Sequence, residues 1–248
     1  MKSFWVTVIG SILLGYFIGC FNLSYFLGKM KGFDIRKFGS GNAGASNVII
    51  TMGRKKGLVV ALVDISKAVV AVKLAGLLFA GAQSGNVNYA SCIAGAMCII
   101  GHIFPFYMQF RGGKGLATLG GTILALDTKM FVVLLILSIC IALITDYLCF
   151  VPISIALIFP ASYGYLHNSL TCSMILLCAS LCIWYRHIEN LQRIRAGEEL
   201  RFHFLWNRKD ESARFGIADD GKEIFDHELV DGEPPADLVH SNENATNT

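Results

Sequence analysis

An all-α, polytopic membrane protein with about seven transmembrane segments is the fold class this sequence predicts. Three observations carry that prediction. Hydrophobic residues make up 54% of the 248 positions and charged residues only 16%, against roughly 25% charged in soluble domains. Long uncharged runs recur at 4–28, 68–110 (broken only by Lys73), 130–145 and 147–185, and about 20 apolar residues suffice to cross the hydrocarbon core. The basic residues collect in alternate stretches between the runs. A soluble fold would have to bury all this apolar surface in one small core, which its surface-to-volume ratio disfavours.

Taken in order, the segments fall at about 4–28, 58–80, 89–108, 116–126, 130–146, 148–165 and 170–186. The first follows the basic Lys2, as a secretory signal would. Phe17-Ile18-Gly19-Cys20 even resembles a lipoprotein cleavage site, but the apolar run continues from Phe21 to Leu27, so the expectation is a retained helix. The fourth segment is short and holds Gly120-Gly121, which suits a half-helix or a tilted one. If it and a neighbour were re-entrant, five crossings would satisfy the same pattern.

Basic residues choose the sides. The stretch 29–57 carries Lys29, Lys31, Arg36, Lys37, Arg54, Lys55 and Lys56 against the single acid Asp34. Arg111 and Lys114 follow the third segment, and Arg186, Arg193 and Arg195 follow the last. The intervening stretches near 81–88, 127–129 and 166–169 offer only Lys129. The positive-inside rule then puts the N-terminus outside and the C-terminus in the cytoplasm. Residues 209–248 invert the pattern: from Asp210 onward there are eleven acids and only the bases Arg214 and Lys222. Low hydrophobicity with net charge predicts a disordered cytoplasmic tail there, separate from a membrane domain at 1–208.

Metal and thiol chemistry find no support. The eight cysteines all lie in apolar segments, form no CxxC pair, and read as small packing residues. The six histidines, at 102, 167, 187, 203, 227 and 240, are scattered. No metal, cofactor or nucleic-acid partner is expected.

Three polar stretches break the apolar pattern, and the sidedness brings all three to the cytoplasmic face. The first is Phe38-Gly39-Ser40-Gly41-Asn42-Ala43-Gly44-Ala45-Ser46-Asn47. Its glycines permit backbone conformations that aim several N–H groups at one anion, and Ser40, Asn42, Ser46 and Asn47 add side-chain donors. Composition alone fits an ordinary interfacial loop equally well.

The second runs from His102-Ile103-Phe104-Pro105 to Arg111-Gly112-Gly113-Lys114-Gly115-Leu116-Ala117-Thr118. Glycines around a lysine, just before a helix start, make a plausible phosphate seat; a tight turn would read the same way. It is not a Walker A loop, because Met108 and Gly115 stand where that motif needs Gly and Ser or Thr. The third, Arg186 to Glu199, places His187, Asn190 and Arg193 three apart on one helical face, with Gly197 as a C-cap. A juxtamembrane basic helix whose arginines reach the headgroups is the plainer alternative.

In this order and spacing the three stretches resemble the bacterial acyl-phosphate:glycerol-3-phosphate acyltransferases (PlsY). The matches are Gly39-Ser40-Gly41-Asn42 with Gly44, Ala45 and Asn47; His102, Phe104, Pro105 and Gly112-Gly113-Lys114-Gly115 with Ala117 and Thr118; and His187, Asn190, Arg193, Gly197 and Glu199. The similarity runs from residue 5 to about 203, with Asp64 and Lys67 also fitting, and leaves the acidic tail outside.

The resemblance implies transfer of an acyl group from acyl phosphate to the sn-1 hydroxyl of glycerol 3-phosphate, yielding lysophosphatidic acid and phosphate. It implies a multi-pass protein of the bacterial inner membrane, working among membrane lipid with its site on the cytoplasmic side. A functional link to the enzyme that makes acyl phosphate would follow. Ser40, Lys114, His187 and Asn190 take the catalytic places. Gly41, Asn42, Gly44, Asn47, Arg54, Gly112, Gly113, Gly115, Thr118 and Arg193 take the substrate-binding ones. Lys114 with the 112–115 backbone would hold the glycerol 3-phosphate, and Ser40, Asn42 and Asn47 the acyl phosphate. His187 or a substrate phosphate oxygen would accept the hydroxyl proton while Asn190 orients the site. An acyl phosphate carries a good leaving group, so positioning and charge neutralisation suffice.

Three positions depart from the family pattern. Ile50 stands where an arginine is usual, and Asp146 and Cys149 stand where Arg and Ser are usual. Arg54, four residues beyond Ile50, shares its face if that stretch is helical and would then reach the same anion. The acyltransferase pair H-x-x-x-x-D is absent: Tyr107, Cys172, Gln192 and Arg208 follow the histidines at that spacing. Two other classes fit the same loops: a diverged relative that binds acyl phosphate or lipid without this turnover, and an organic-phosphate transporter. Transporters often carry paired repeats, and the two halves of this chain show no convincing similarity.

Overall fold

The structure, a computed structural model, describes residues 4–79, 83–84 and 87–205. The expected acidic tail therefore lies outside the described residues. Nine α-helices account for most of the described chain: α1 (Phe4–Cys20), α2 (Leu23–Met30), α3 (Ala45–Met52), α4 (Arg54–Leu78), α5 (Tyr89–Ile103), α6 (Leu116–Leu126), α7 (Thr128–Thr145), α8 (Phe150–Leu166) and α9 (Leu170–Ala196). A two-stranded antiparallel pair, β1 (Gln83–Ser84) and β2 (Val87–Asn88), lies between α4 and α5.

Four stretches among the described residues are long and apolar enough to cross a membrane: Phe4–Met30, Tyr89–Met108, Thr128–Thr145 and Leu170–Ala196. α6 and α8 are shorter apolar helices, and α4 carries Asp64, Lys67 and Lys73 inside its apolar run. On α7, Val132, Val133, Ile136, Ile139 and Leu143 point outward and exposed. A continuous apolar face of that size is what lipid covers.

The first segment departs from its expected form. Instead of one helix over 4–28 the chain breaks at Phe21-Asn22, because Asn22 caps α2: its side chain accepts from the Tyr25 N–H at 2.9 Å and donates to the Ala43 carbonyl at 2.9 Å. In an apolar surrounding the freed carbonyls need partners. Lys67 Nζ donates to the Phe21 carbonyl at 2.6 Å, and the Tyr107 hydroxyl donates to that of Cys20 at 2.8 Å.

α1 lies directly on α5. Any Cβ at Gly15 would meet the backbone of Ala94, one at Gly19 the backbone of Cys98, and one at Gly101 the Tyr16 carbonyl. The pairings Gly15–Ala94 and Gly19–Cys98 ascend together, so the two helices run parallel, packed through small residues as membrane helices do. α4 packs against α1, α5 and α6, and α9 against α5 and α8. The core runs along α5 to α9 through Ile99, Ile103, Leu119, Ile123, Ile155, Phe159, Leu176 and Ile183. A smaller cluster, Phe33, Ile35, Phe38, Val48, Met52, Val60 and Met108, anchors the loop before α3.

Candidate active site

The three polar stretches meet at one end of the bundle. Arg36, held by Asp34 at 2.6 Å, donates to the Met108 carbonyl at 2.5 Å, and Ala43 N–H reaches the Gly112 carbonyl at 3.4 Å. These bonds tie the first loop to the second. The third stretch joins through Asn190, whose side-chain oxygen accepts from Lys114 Nζ. Together they enclose a cavity of about 750 Å³.

Ser40, Gly41, Asn42, Gly44, Lys114, Gly115, His187, Asn190 and Arg193 all line it. Asn42 donates to the Ser40 hydroxyl at 2.9 Å, which fixes that hydroxyl at the wall. Gly115 sits at φ +90, where only glycine is comfortable, and starts α6 with its first N–H groups at the cavity. His187 donates Nδ1–H to the Ile183 carbonyl at 2.8 Å, so its Nε2 is left as an acceptor.

Five residues expected as ligands stand elsewhere. Asn47 is fully buried and its amide is spent on the loop itself: it accepts from Ser40 N–H at 2.7 Å and donates to the carbonyls of Ile35, Phe38 and Asn42 at 3.0, 3.0 and 2.7 Å. It shapes the first loop. Gly112 and Gly113 serve close packing, since a Cβ at Gly113 would collide with the His102 ring and one at Gly112 with the His102 carbonyl. Thr118 is fully buried inside α6. Arg54 is not a cavity residue, because Gly53 at φ +87 ends α3 and a new helix begins, so Ile50 and Arg54 do not share a helical face.

Sequence reasoning gave no site role to several residues of the wall. Ile50 faces the cavity, as do Asp64 and His102. Those two form a buried charge cluster with Lys67: Lys67 Nζ lies 2.7 Å from Asp64 Oδ1 and 2.9 Å from His102 Nδ1. Two charges inside an apolar run at 64 and 67, one helical turn apart, were the available signal. Residues 198–202 also line the cavity; their polar composition carried no such signal.

Charge is concentrated at Lys114. Burial pushes its pKa down to about 8; Arg193 and Arg186 act in the same direction, and Glu189 and Glu199 oppose them. A depressed lysine is cationic below its pKa and neutral above it. Because kcat/KM reports the free protein, kcat/KM for any phosphate-bearing substrate held by Lys114 is expected to fall as pH rises through about 8. A steady-state profile from pH 6 to pH 10 checks this; a plateau persisting to pH 10 would contradict it. Cys149, also at the wall, is no ready nucleophile: burial first, and then Glu199, push its thiol up to about 11.

The polar loops of this helical protein thus close one cavity, with Lys114 and Arg193 in its wall beside apolar side chains. Residues 9–197 match the model of the glycerol-3-phosphate acyltransferase family. The chain is 37% identical to glycerol-3-phosphate acyltransferase 1 of Oceanobacillus iheyensis, over 79% of this chain and 96% of that one. Its namesake in Deinococcus radiodurans is 34% identical with the same coverage. The crystal structure of PlsY (YgiH), an integral membrane glycerol 3-phosphate acyltransferase in its glycerol 3-phosphate form, superposes with a TM-score of 0.71 at 27% identity, covering 82% of this chain and 98% of that one. Its lysophosphatidic acid form gives 0.67 at 26% identity, covering 80% and 96%. This chain belongs to the glycerol-3-phosphate acyltransferase family.

Proposed function

We propose that the protein transfers an acyl group from acyl phosphate to the sn-1 hydroxyl of glycerol 3-phosphate. The observation that carries this reading is that Ser40, Lys114, His187 and Asn190 line one cavity of about 750 Å³, large enough for two small phosphorylated groups side by side. Lys114, oriented by Asn190, and the Gly115 N–H end of α6 hold the phosphate of glycerol 3-phosphate. Ser40, Gly41, Asn42 and Gly44 hold that of the acyl phosphate, and Ile49, Ile50, Leu116 and Leu148 offer apolar wall beside it.

The hydroxyl oxygen attacks the acyl carbonyl carbon, the carbon–oxygen bond to phosphate breaks, and inorganic phosphate leaves with the bonding pair. The hydroxyl proton goes to His187 Nε2 or to a substrate phosphate oxygen. The protein supplies position and charge, with no covalent intermediate. Basic loops gathered at the cavity end support a cytoplasmic site in the bacterial inner membrane, with the N-terminus outside and about seven crossings.

The test is to incubate purified protein in detergent with palmitoyl phosphate and glycerol 3-phosphate, following phosphate and lysophosphatidic acid. Release that needs both substrates is the expected result. Turnover with an acyl thioester but not with palmitoyl phosphate would overturn the donor assignment. Binding of both substrates without release would favour a binding protein, a reading to which Ile50 in the cavity wall lends some support.

A further inference from the structure

Beyond the helix end at Gly197 the chain turns back and crosses the cavity as a strap, residues 198–202, fastened at both ends. Its near end is fixed by Glu199, which accepts from Asn190 Nδ2 at 2.5 Å and from Arg193 Nε at 2.8 Å. Its far end is fixed at the corner between α7 and α8. There the Asp146 carbonyl accepts from Phe202 N–H at 2.6 Å, and its carboxylate takes His203 N–H at 3.0 Å and His203 Nδ1 at 2.8 Å. Asp146 holds a left-handed conformation, φ 58, which Asp tolerates better than most residues.

We propose that Asp146, paired with His203, is a positioning residue for acyl transfer: by pinning the far end of the strap it keeps Glu199 on Asn190 and thereby sets the Asn190 amide toward Lys114. The argument rests on donors and acceptors. A carboxylate only accepts, so Glu199 selects the orientation in which Asn190 turns its NH₂ to the strap and its oxygen to the Lys114 ammonium. An arginine at position 146 would keep the backbone carbonyl for Phe202 N–H but would offer side-chain donors to the donor His203 N–H, leaving the carboxylate half of this anchor unmade. Burial alone would raise the Asp146 carboxyl; its bonds from His203 and the nearby Arg201 charge more than reverse that, and it stays ionised.

The inference rests on the proposed reaction, and the experiment separates the two. Asp146→Ala, His203→Ala and the double variant are compared with the unaltered chain for phosphate release from palmitoyl phosphate and glycerol 3-phosphate. No release by the unaltered chain overturns the reaction itself. With release established, each single variant is expected to lose about three- to tenfold in kcat, since His203→Ala removes one anchoring hydrogen bond and Asp146→Ala two, both partly exposed. The double variant should lose no more than the worse single, as for two ends of one contact.

The alkaline limb of kcat/KM should also move to lower pH in every variant. A released strap draws the Glu199 carboxylate away from Lys114 and leaves it facing Arg186, Arg193, Glu189 and His187 of α9 and Cys149 of the α7–α8 corner. A role in folding alone would not move that limb. Additive losses, or unchanged kcat and an unmoved limb in His203→Ala, whose side chain is partly exposed, would overturn the assignment.

Discussion

Lys114→Met is expected to lower kcat/KM by about a hundred- to a thousandfold, the range seen when a preorganised donor to developing or bound negative charge is deleted. Methionine keeps the length and apolar stem of the side chain and removes only the ammonium. Neighbouring cations are poorly placed to substitute: Arg193 is engaged by Glu199, and Arg36 by Asp34 and the Met108 carbonyl. The thermal midpoint should change little, because the half-buried ammonium is held below the ordinary lysine range and contributes little to folding. Steady-state phosphate release beside thermal unfolding in detergent measures both. A loss under tenfold would remove Lys114 from the phosphate seat.

Asp64→Leu is expected to be the most destabilising single change, at about 3–5 kcal/mol, because it leaves Lys67 buried with its counter-charge gone. For a chain of this size that corresponds to a fall of roughly 6–20 °C in the thermal midpoint. Asp64 and Lys67 are 2% and 7% exposed, so little water reaches either to compensate. Lys67 also holds the Phe21 carbonyl at the break between α1 and α2, which links the ion pair to the first loop through Asn22. The double change Asp64→Leu with Lys67→Met should cost less than Asp64→Leu alone, because it strands no charge. Equal midpoints for Asp64→Leu and the unaltered chain would show that the cluster does not hold the helices together.

Much of this was legible in the residues. Apolar runs located α1 and α4 to α9, because a bilayer imposes composition, although α4 keeps three charges inside its run and α6 has only 11 residues. Ser40, Asn42, Lys114, His187 and Asn190 were expected together because three polar stretches resemble the family's in order and spacing, and all five line the cavity. What stayed hidden was which polar groups look inward and which look at one another. Asn47 reads as a donor in sequence, yet its amide closes the first loop on itself. The double glycine before Lys114 reads as an anion nest, yet it makes room for the His102 ring. The break at Asn22 was written as a capping residue inside an apolar run; hydropathy averaged across it. The strap was invisible because its anchor, Asp146, lies 57 residues from His203 in the chain.

The unequal lengths of α6 and α7 leave a recess at the cavity end of the bundle. The two helices share the Asp127 corner, α6 returning toward the cavity over 11 residues and α7 over 18. At 1.5 Å per residue α6 rises about 16 Å and α7 about 27 Å. α7 therefore outreaches α6 by roughly 10 Å, and the difference leaves the recess lined by Lys114, Leu148 and Cys149. In the proposed reaction both substrates meet at the foot of that recess, beneath residues 198–202, so the longer helix sets how far each must reach.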